Sequence, residues 1–373
     1  ASVLLCEKMP RLGKKIRISG NGRCNITNDA LSSSGFNPEA KEIVESVFSR
    51  FGKHEILGFF KELGLRVYSD KKDGRVFPIT NQSASVMDVL ELELSKLSVE
   101  VRLDCEVTGI KKTHDRFSLA LKCGDTVTAP HVILTAGGKS YPIGGTDGSA
   151  YALALGFGHH LVEPAPITVP LLSKDPWCAQ LAGQKIIDAI RTRVNGKNGP
   201  KVEGDLLFTD YGLSGTAILD SSDDISIALV RSQSKDTAVV IDLVPFIHEE
   251  ELKKELSHRM RRKFPSDKLL AGILPPKFSH ALADVLKERD PAEIALALKH
   301  RVFEVTGTRG WNDAEFTAGG IDHHEVDERT LESKKCPGLY LAGEILNVQG
   351  KRGGFNLAWA WASGFVVGSE AGV

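Results

Sequence analysis

The sequence predicts a doubly wound α/β domain built from both ends of the chain and interrupted by a β-rich, partly helical insertion. Three observations predict it. Short apolar runs ending at small residues, at 133–138 and 338–344, have the texture of strands buried on both faces. Helical and strand-like segments alternate over residues 1–160, and that texture returns near Thr317. Between them, residues 161–315 carry short β-type runs separated by polar turns, then a long helical stretch. The expected domains are therefore 1–160 with 316–373, and 161–315.

In chain order, Ser2, Val3, Leu4, Leu5 and Cys6 read as a buried parallel strand closed by the carboxylate of Glu7. A polar, glycine-rich segment follows over 13–28. Phe48, Phe51, Ile56, Leu57 and Phe60 fall at helical spacing within 38–63, and 86–97 reads as a second helix. Strand-like runs occupy 99–103, 117–122 and 132–135. In the insertion, β-type runs are expected at 185–194, 205–208, 225–230 and 237–244, with a polar turn over 195–199. Residues 249–299 read as helical and basic. A core strand at 338–344 then feeds a turn, and 356–367 reads as a helix. There is no internal repeat and no low-complexity tract.

Composition narrows the function classes. A chain of 373 residues, 42% hydrophobic and 25% charged, has enough apolar material for two domains with a sizeable core. A formal net charge of -1 gives no bulk attraction to nucleic acid or acidic membranes. No apolar run reaches the roughly 18 residues of a membrane span. The opening residues lack the charged start of a secretory signal, so a cytoplasmic location is expected. Cys6, Cys24, Cys105, Cys123, Cys178 and Cys336 are scattered, without CxxC pairs or zinc-ligand spacing, and read as reduced thiols. No metal site is expected. His323 and His324, taken as neighbours on a strand, would point to opposite faces and read as solvated or capping histidines.

The residues that carry chemistry are mostly glycines and carboxylates. Glu7, ending a strand, can accept hydrogen bonds from ribose hydroxyls, or it is a surface glutamate. The glycine-rich turn that normally lies about 20 residues before such an acid does not fit in the six residues preceding Glu7, so the first strand and turn of the unit are expected to be absent from this sequence. In Ser19-Gly20-Asn21-Gly22-Arg23-Cys24-Asn25, glycines allow a sharp turn, and exposed N–H groups with Arg23 suit an anion such as pyrophosphate. Cys24 reads as a structural thiol, not a nucleophile. Ala136, Gly137 and Gly138 end a buried strand with side chains small enough for a cofactor to approach. The same holds for Thr317-Ala318-Gly319-Gly320 and for Gly343-Glu344. Gly353-Gly354 directly precedes a helix, leaving N–H donors and the helix dipole free for an electron-rich partner.

These motifs together resemble the YhiN/BaiN-like flavoproteins. The resemblance rests on Arg17-Ile18-Ser19-Gly20-Asn21-Gly22-Arg23-Cys24-Asn25-Ile26-Thr27-Asn28, on 338–344 continuing to 353–361, and on Leu207-Phe208-Thr209-Asp210-Tyr211-Gly212-Leu213-Ser214-Gly215. They occur in the family's order across nearly the whole chain. The resemblance implies an α/β, FAD/NAD(P)-binding Rossmann-like domain of glutathione-reductase type, with an inserted β-barrel-like plus helical domain. It implies extended FAD, with Glu7 and Lys8 at the adenosine ribose and Gly22, Arg23, Cys24 and Asn25 along the cofactor. Val107 would meet the adenine, and Ala136, Gly137 and Gly138 the adenosine end. Thr317, Gly319 and Gly320 would approach the isoalloxazine. Gly343 and Glu344 would hold the ribityl or pyrophosphate region, and Gly354, Asn356, Leu357 and Ala358 would face the pyrimidine edge. The chain departs from the family at Asn347, Thr216, Phe355 and Asp210, where Asp, Pro, Tyr and His are usual.

The implied activity is an FAD-dependent oxidoreductase that moves hydride through flavin N5, with no catalytic side chain assigned. The substrate would sit between the flavin face and the inserted domain, with Lys139, Tyr141, Tyr211 and Arg352 as orienters. No second nicotinamide-type glycine motif is visible, so NADH or NADPH as electron donor would bind transiently. A small-molecule substrate leads. A base in RNA is the alternative, because some of this family look like RNA dihydrouridine synthases and the stretch Lys253, Lys254, His258, Arg259, Arg261, Arg262, Lys263 can track phosphates; that stretch reads first as a solvated helix face, as charge runs usually do. A non-catalytic flavin- or partner-binding protein is the third reading.

Overall fold

In the computed structural model, which describes residues 2–372, the expected N-terminal strand is β1 (Leu4–Cys6), and Glu7 directly follows it. Its chain divides into two units, Ala1–Pro164 with Phe316–Val373, and Ala165–Glu315.

In the first unit the glycine-rich segment begins as a helix, α1 (Lys14–Gly22), that loses helical angles at Ser19, Gly20 and Asn21. A short strand β2 (Thr27–Asn28) follows. The long helical expectation over 38–63 is two helices, α2 (Lys41–Arg50) and α3 (Lys53–Glu62). The break falls at Gly52, whose N–H donates to the Glu55 carboxylate at 2.9 Å, which ends one helix and caps the next. Strand β4 (Arg75–Pro78) pairs with β2 on one side and β3 (Val67–Ser69) on the other in a small antiparallel sheet that the sequence did not announce. Helix α4 (Ser83–Lys96) leads to β5 (Glu100–Arg102), which pairs in parallel with β1, Leu4 opposite Glu100.

Strands β6 (Val107–Thr113), β7 (Arg116–Leu121) and β8 (Thr126–Ala129) form an antiparallel meander. Of these only β7 was expected; β6 and β8 are polar and half-exposed, so they lack an apolar run. Strand β9 (Val132–Leu134) and a short helix α5 (Tyr151–Leu155) complete this segment. Strand β10 (Leu161–Ile167) leads the chain onward.

The second unit holds a seven-stranded antiparallel sheet in the order β16, β15, β12, β13, β14, β11, β17. Its strands are β11 (Leu171–Leu172), β12 (Lys185–Val194), β13 (Lys197–Thr209), β14 (Gly212–Ser214), β15 (Thr237–Asp242), β16 (Arg301–Glu304) and β17 (Gly307–Thr308). The turn expected over 195–199 is a two-residue hairpin, Val194 opposite Lys197. Asn195 and Gly196 both take positive φ, 49° and 76°, the Asn-Gly chemistry of a tight twisted hairpin. β13 therefore starts earlier than expected. Around the sheet lie α6 (Pro176–Gln180), α7 (Thr216–Leu219), α8 (Ser222–Arg231), α9 (Glu249–Arg261), α10 (Pro276–Ala281), α11 (Ala283–Glu288) and α12 (Pro291–Lys299). Phe208, Phe278 and Phe303 are fully buried in this unit's core.

The β-type run expected at 225–230 is instead helix α8, a correction with a clear cause. Ser222, Ile225 and Ser226 are buried and Leu229 packs against the core, a helical stripe and not an alternation. Acidic Asp223 and Asp224 suit the positive end of the helix dipole. Asp223 Oδ1 accepts from the Thr168 N–H at 2.8 Å. Burial pushes the Asp223 carboxyl up to about 6, against the hydrogen bond from Thr168, which lowers it. Its folded pKa thus lies above the unfolded value of 3.8, so the native state holds the proton longer and stability falls as pH rises from about 4 to about 6. Asp223→Asn keeps an acceptor for Thr168 and removes the charge. The variant should gain about 1 kcal/mol at pH 7 and nothing near pH 4, read by denaturant unfolding at the two pH values.

The chain returns to the first unit through β18 (Phe316–Ile321), β19 (Leu339–Leu341) and α13 (Phe355–Glu370). β19 pairs in parallel with β9, Leu339 opposite Val132. Helix α13 is apolar on most sides and buries Ala358, Trp359, Ala362 and Val366. Phe365 stacks on Phe51 at 4.0 Å, which ties the helix to the end of α2. No helix among the described residues is long and apolar enough to cross a membrane.

Candidate functional site

Four segments far apart in sequence meet at the ends of β9 and β18. The Thr317 hydroxyl accepts from the Lys139 and Ser140 N–H groups at 2.9 and 3.0 Å. The Thr317 N–H donates to Glu344 Oε1 at 3.0 Å. Ser140 Oγ lies 3.3 Å from the same oxygen. Lys15 Nζ reaches Glu344 Oε2 at 2.6 Å and Ser140 Oγ at 2.8 Å. Gly138 fits into this junction because it has no side chain: a Cβ there would lie 2.5 Å from Thr317 Oγ1. So Gly138, Thr317 and Glu344 are brought together. Lys15 and Ser140 belong with them and were missed; their partners lie 125 to 329 residues away, so no local pattern carries the signal.

The Ser19–Asn25 segment turns sharply. Gly20, Asn21, Gly22 and Cys24 have φ of 57°, 56°, 79° and 61°, angles that are natural for glycine and costly for Cys24. The turn buries Cys24 and Asn25 at 0% and 7% exposure. Burial pushes the Cys24 thiol up to about 12, so it stays protonated and unreactive at neutral pH. Iodoacetamide should therefore alkylate exposed Cys123 and leave Cys24 intact in the native protein, read by peptide mass mapping. Arg23 does not point to an anion site. Its guanidinium lies 4.0 Å over the Phe77 ring, and its Nε donates to the Gly20 carbonyl at 3.3 Å.

Helix α13 starts without a side-chain cap, at Gly354 with φ 104°. A Cβ on Gly354 would sit 2.5 Å from the Thr27 carbonyl oxygen and 2.9 Å from Asn25 Oδ1. The Asn25 segment and the α13 N-terminus are therefore in contact. Asn28 Nδ2 donates to the Gly353 carbonyl at 2.9 Å and fixes this approach. Asn356 spends its side chain on the preceding loop: Oδ1 accepts from Gly350 N–H at 2.8 Å, and Nδ2 donates to Gly350 O at 2.7 Å. Ala358 is buried and Leu357 packs against the core. Phe355 meets Phe36 edge-on at 5.9 Å, so an apolar ring suits that position.

At the β1 end, Glu7 Oε1 accepts from the Met9 N–H at 2.8 Å, and the Glu7 carbonyl accepts from Cys105 N–H at 2.8 Å. That second bond holds the approach to Val107, which opens β6 opposite Leu121. Lys8 pairs with Asp147 at 2.9 Å. Burial opposes ionisation of Asp147, but hydrogen bonds from Ser149 and Lys8 hold its carboxyl below the usual carboxylate range. Ala136 lies between β9 and Gly137, whose φ of 76° turns the chain against Thr146. Gly319 and Gly320 lie within β18 with φ of 91° and 124°; a Cβ on Gly320 would meet the Ile345 carbonyl at 2.6 Å. Tyr141 takes the left-handed conformation. Tyr211, in the inserted unit, lies under the Arg309 guanidinium at 4.6 Å. Thr216 accepts from the Asp205 N–H at 2.9 Å, a bond that gives its hydroxyl a structural task.

The residues fit a flavin nucleotide. Buried Asn25 Oδ1, Thr27 Oγ1, Tyr151 OH and Gln349 Oε1 have no hydrogen-bond partner among the described residues, and buried polar atoms normally have one. A Cβ on Gly343, φ 76°, would meet nothing within 4 Å. An uncapped helix start beside an orphaned amide oxygen suits a group that both accepts and donates, as a flavin pyrimidine does.

His323 and His324 are not strand neighbours. They sit in a single 3-10 turn, His323–Glu325, with ring centroids 4.2 Å apart, because the strand ends at Ile321 and Asp322 caps the turn.

The description "HI0933-like protein Rossmann domain" matches residues 1–370. A 3-dehydro-bile acid delta(4,6)-reductase of Clostridium scindens is 33% identical, over 100% of this chain and 93% of the relative. A ribosomal RNA dihydrouridine synthase of Escherichia coli is 29% identical, over 99% of this chain and 91% of the relative. The open conformation of a flavocytochrome c3 fumarate reductase is 15% identical, covers 99% of this chain and 73% of that one, and superposes with a TM-score of 0.46. The chain belongs to the HI0933-like family, the flavoproteins of the YhiN/BaiN kind, and is an FAD-dependent oxidoreductase.

Proposed function

We propose that the chain reduces a carbon–carbon double bond conjugated to a carbonyl in a small organic molecule. When bound and reduced by a nicotinamide donor, FAD would supply a hydride for the β-carbon, with the proton for the α-carbon coming from solvent. Two of its relatives have names that describe such substrates: a 3-dehydro compound with Δ4,6 unsaturation, and uridine, reduced to dihydrouridine. What supports this family of chemistry here is the pairing of Asn25 Oδ1 with the uncapped start of α13.

Within this reading Glu7 and Lys8 hold the adenosine end, with Val107, Ala136, Gly137 and Gly138 beside it. Gly22 to Asn25 run along the cofactor, with Arg23 contributing backbone only. Gly343 and Glu344 hold the ribityl and pyrophosphate region, and Lys15 fixes the Glu344 carboxylate. Thr317, Gly319 and Gly320 offer backbone to the isoalloxazine. The N–H groups of Gly354, Asn356 and Leu357 at the uncapped helix start, with buried Ala358 behind them, face the pyrimidine edge. There the helix dipole stabilises negative charge. NADH or NADPH is the proposed donor.

A small molecule ranks above RNA because the relative of that kind shares more of the sequence, and part of the basic stretch is paired within α9. Lys253 pairs with Glu249 and Glu250 at 2.8 and 2.9 Å, and Arg259 pairs with Glu255 at 2.6 Å. Arg259 also donates to the Leu269 and Ala271 carbonyls. Lys254, Arg261, Arg262 and Lys263 remain exposed. Anaerobic turnover of the reduced enzyme with a 3-oxo-4-ene steroid acid, against uridine-containing ribosomal RNA, separates the two. Flavin reoxidation by the acid and not by the RNA is expected. Reoxidation by RNA alone, with retention on RNA that falls steeply with salt, would transfer the proposal to the RNA reading. Reducible flavin reoxidised by neither sinks this substrate class and favours a non-catalytic flavin-binding role.

A further inference from the structure

The turn that closes β18 carries a second cluster with its own chemistry. One ligand atom each from Asp322, His323 and His324 lie within 4.8 Å of one another. His323 is 4% exposed, whereas the His324 side chain is 69% exposed, so the cluster has a buried floor and an open mouth. His324 Nδ1 lies 2.8 Å from Asp322 Oδ1, and the same oxygen accepts from the His324 N–H at 3.0 Å.

The buried histidine decides what the cluster is for. Its Nε2 lies 3.0 Å from the Glu39 carbonyl oxygen. A carbonyl can only accept, so Nε2 carries the hydrogen and donates it. In the neutral ring the lone pair is then on Nδ1. That atom is buried and has no hydrogen-bond partner among the described residues. A bare acceptor in that position lacks what nearly every buried polar atom has. An imidazole with one nitrogen bare and the other donating to a backbone carbonyl is the arrangement of a metal-bound histidine and its supporting partner.

We propose that Asp322, His323 and His324 form a binding site for a zinc-type divalent cation, with His323 Nδ1 as the fixed ligand. Two imidazoles and one carboxylate are a donor set that such ions take, and hard ions such as magnesium do not favour it. Tetrahedral ligands at about 2.0–2.2 Å from zinc lie roughly 3.3–3.6 Å apart, so the cluster must contract. Exposed His324 is free to swing inward for this, exchanging its bond to Asp322 for one to the metal. Three protein ligands leave a position for water, so the site is open and not a closed structural one. Asp322 follows Gly320 by two residues, so the metal would anchor the end of β18 and, through His323, the Glu39 carbonyl. The proposal does not depend on which substrate the flavin site takes.

The test is calorimetric titration of zinc into the tag-free flavoprotein after chelator treatment, with magnesium as control. One zinc per chain is expected, with no magnesium heat and a rise in melting temperature on zinc addition. His324→Ala removes an exposed side chain and leaves the buried histidine in place, and Asp322→Asn keeps the cap on the turn. Each should weaken zinc at least about tenfold. Cys123→Ser, which removes the exposed thiol, should change nothing. Absence of stoichiometric zinc binding, or binding that His324→Ala leaves unchanged, or binding lost in Cys123→Ser, overturns the proposal.

Discussion

Gly354→Ala is expected to remove flavin from the protein and to destabilise it by about 2–5 kcal/mol, the sum of a left-handed backbone penalty and an overpacking penalty. The residue has φ 104°, and its missing Cβ would sit 2.5 Å from the Thr27 carbonyl oxygen and 2.6 Å from its carbon. Those are backbone atoms of β2, which pairs with β4, so they cannot yield as a flexible side chain would. Either α13 withdraws from the Asn25 segment or the segment bends away. In both cases the orphaned Asn25 oxygen and the uncapped start of α13 no longer converge. Thermal unfolding and the flavin content of the purified variant read the two effects separately. Gly364→Ala, in the middle of α13 with nothing within 4 Å of its Cβ, is the matched control. It should retain flavin and gain some stability, since alanine favours a helix interior by about 1 kcal/mol over glycine.

The second large effect is at Glu344. Its carboxylate satisfies the Lys15 ammonium, the Thr317 N–H and the Ser140 hydroxyl at once. Its side chain is 18% exposed and that of Lys15 is 28% exposed, so solvent screens the pair only in part. Glu344→Ala leaves Lys15 and the Thr317 N–H without their partner, at a cost of about 1–3 kcal/mol. Under the proposed assignment FAD affinity falls on the order of tenfold or more, because a lost charge-assisted bond is worth about 1.5–3 kcal/mol. A double-mutant cycle with Lys15→Met isolates the pair. Non-additive loss of FAD affinity would place Lys15 as the residue that positions Glu344. Strict additivity would assign the two side chains independent tasks.

Much of the first unit is legible in the sequence for one physical reason. Strands β1, β9 and β19 are continuous apolar runs, and a run that stops at Glu7, Gly137 or Gly343 marks its own end. Helix α13 shows itself through its composition and the glycine pair before it. The antiparallel additions are less legible. β6 and β8 alternate only weakly and keep polar residues on exposed faces, so their pairing partners, not their composition, make them strands. In α8 the β-branched run at 225–230 suggested a strand, while Asp223 and Ser222, bonded to the Thr168 and Val169 N–H groups, start a helix.

The candidate site divides along the same line. Gly138, Gly320 and Gly354 stand out in the sequence as small residues at strand ends or before a helix, and in the structure each stands where a side chain would collide with backbone or a packed neighbour. Lys15 and Ser140 could not, since nothing near them in sequence mentions Glu344. Arg23 misled for the complementary reason: Phe77, which holds its guanidinium, lies on a strand that the sequence did not reveal. His323 misled because a strand was assumed where a 3-10 turn forms, and turn geometry brings adjacent side chains to one side.

The most direct measurement is the absorbance spectrum of the purified protein, followed by anaerobic titration with NADH and NADPH. The account predicts one non-covalent FAD per chain and flavin bands that bleach with a nicotinamide donor. A folded protein that carries no flavin and takes up none when FAD is added would contradict it.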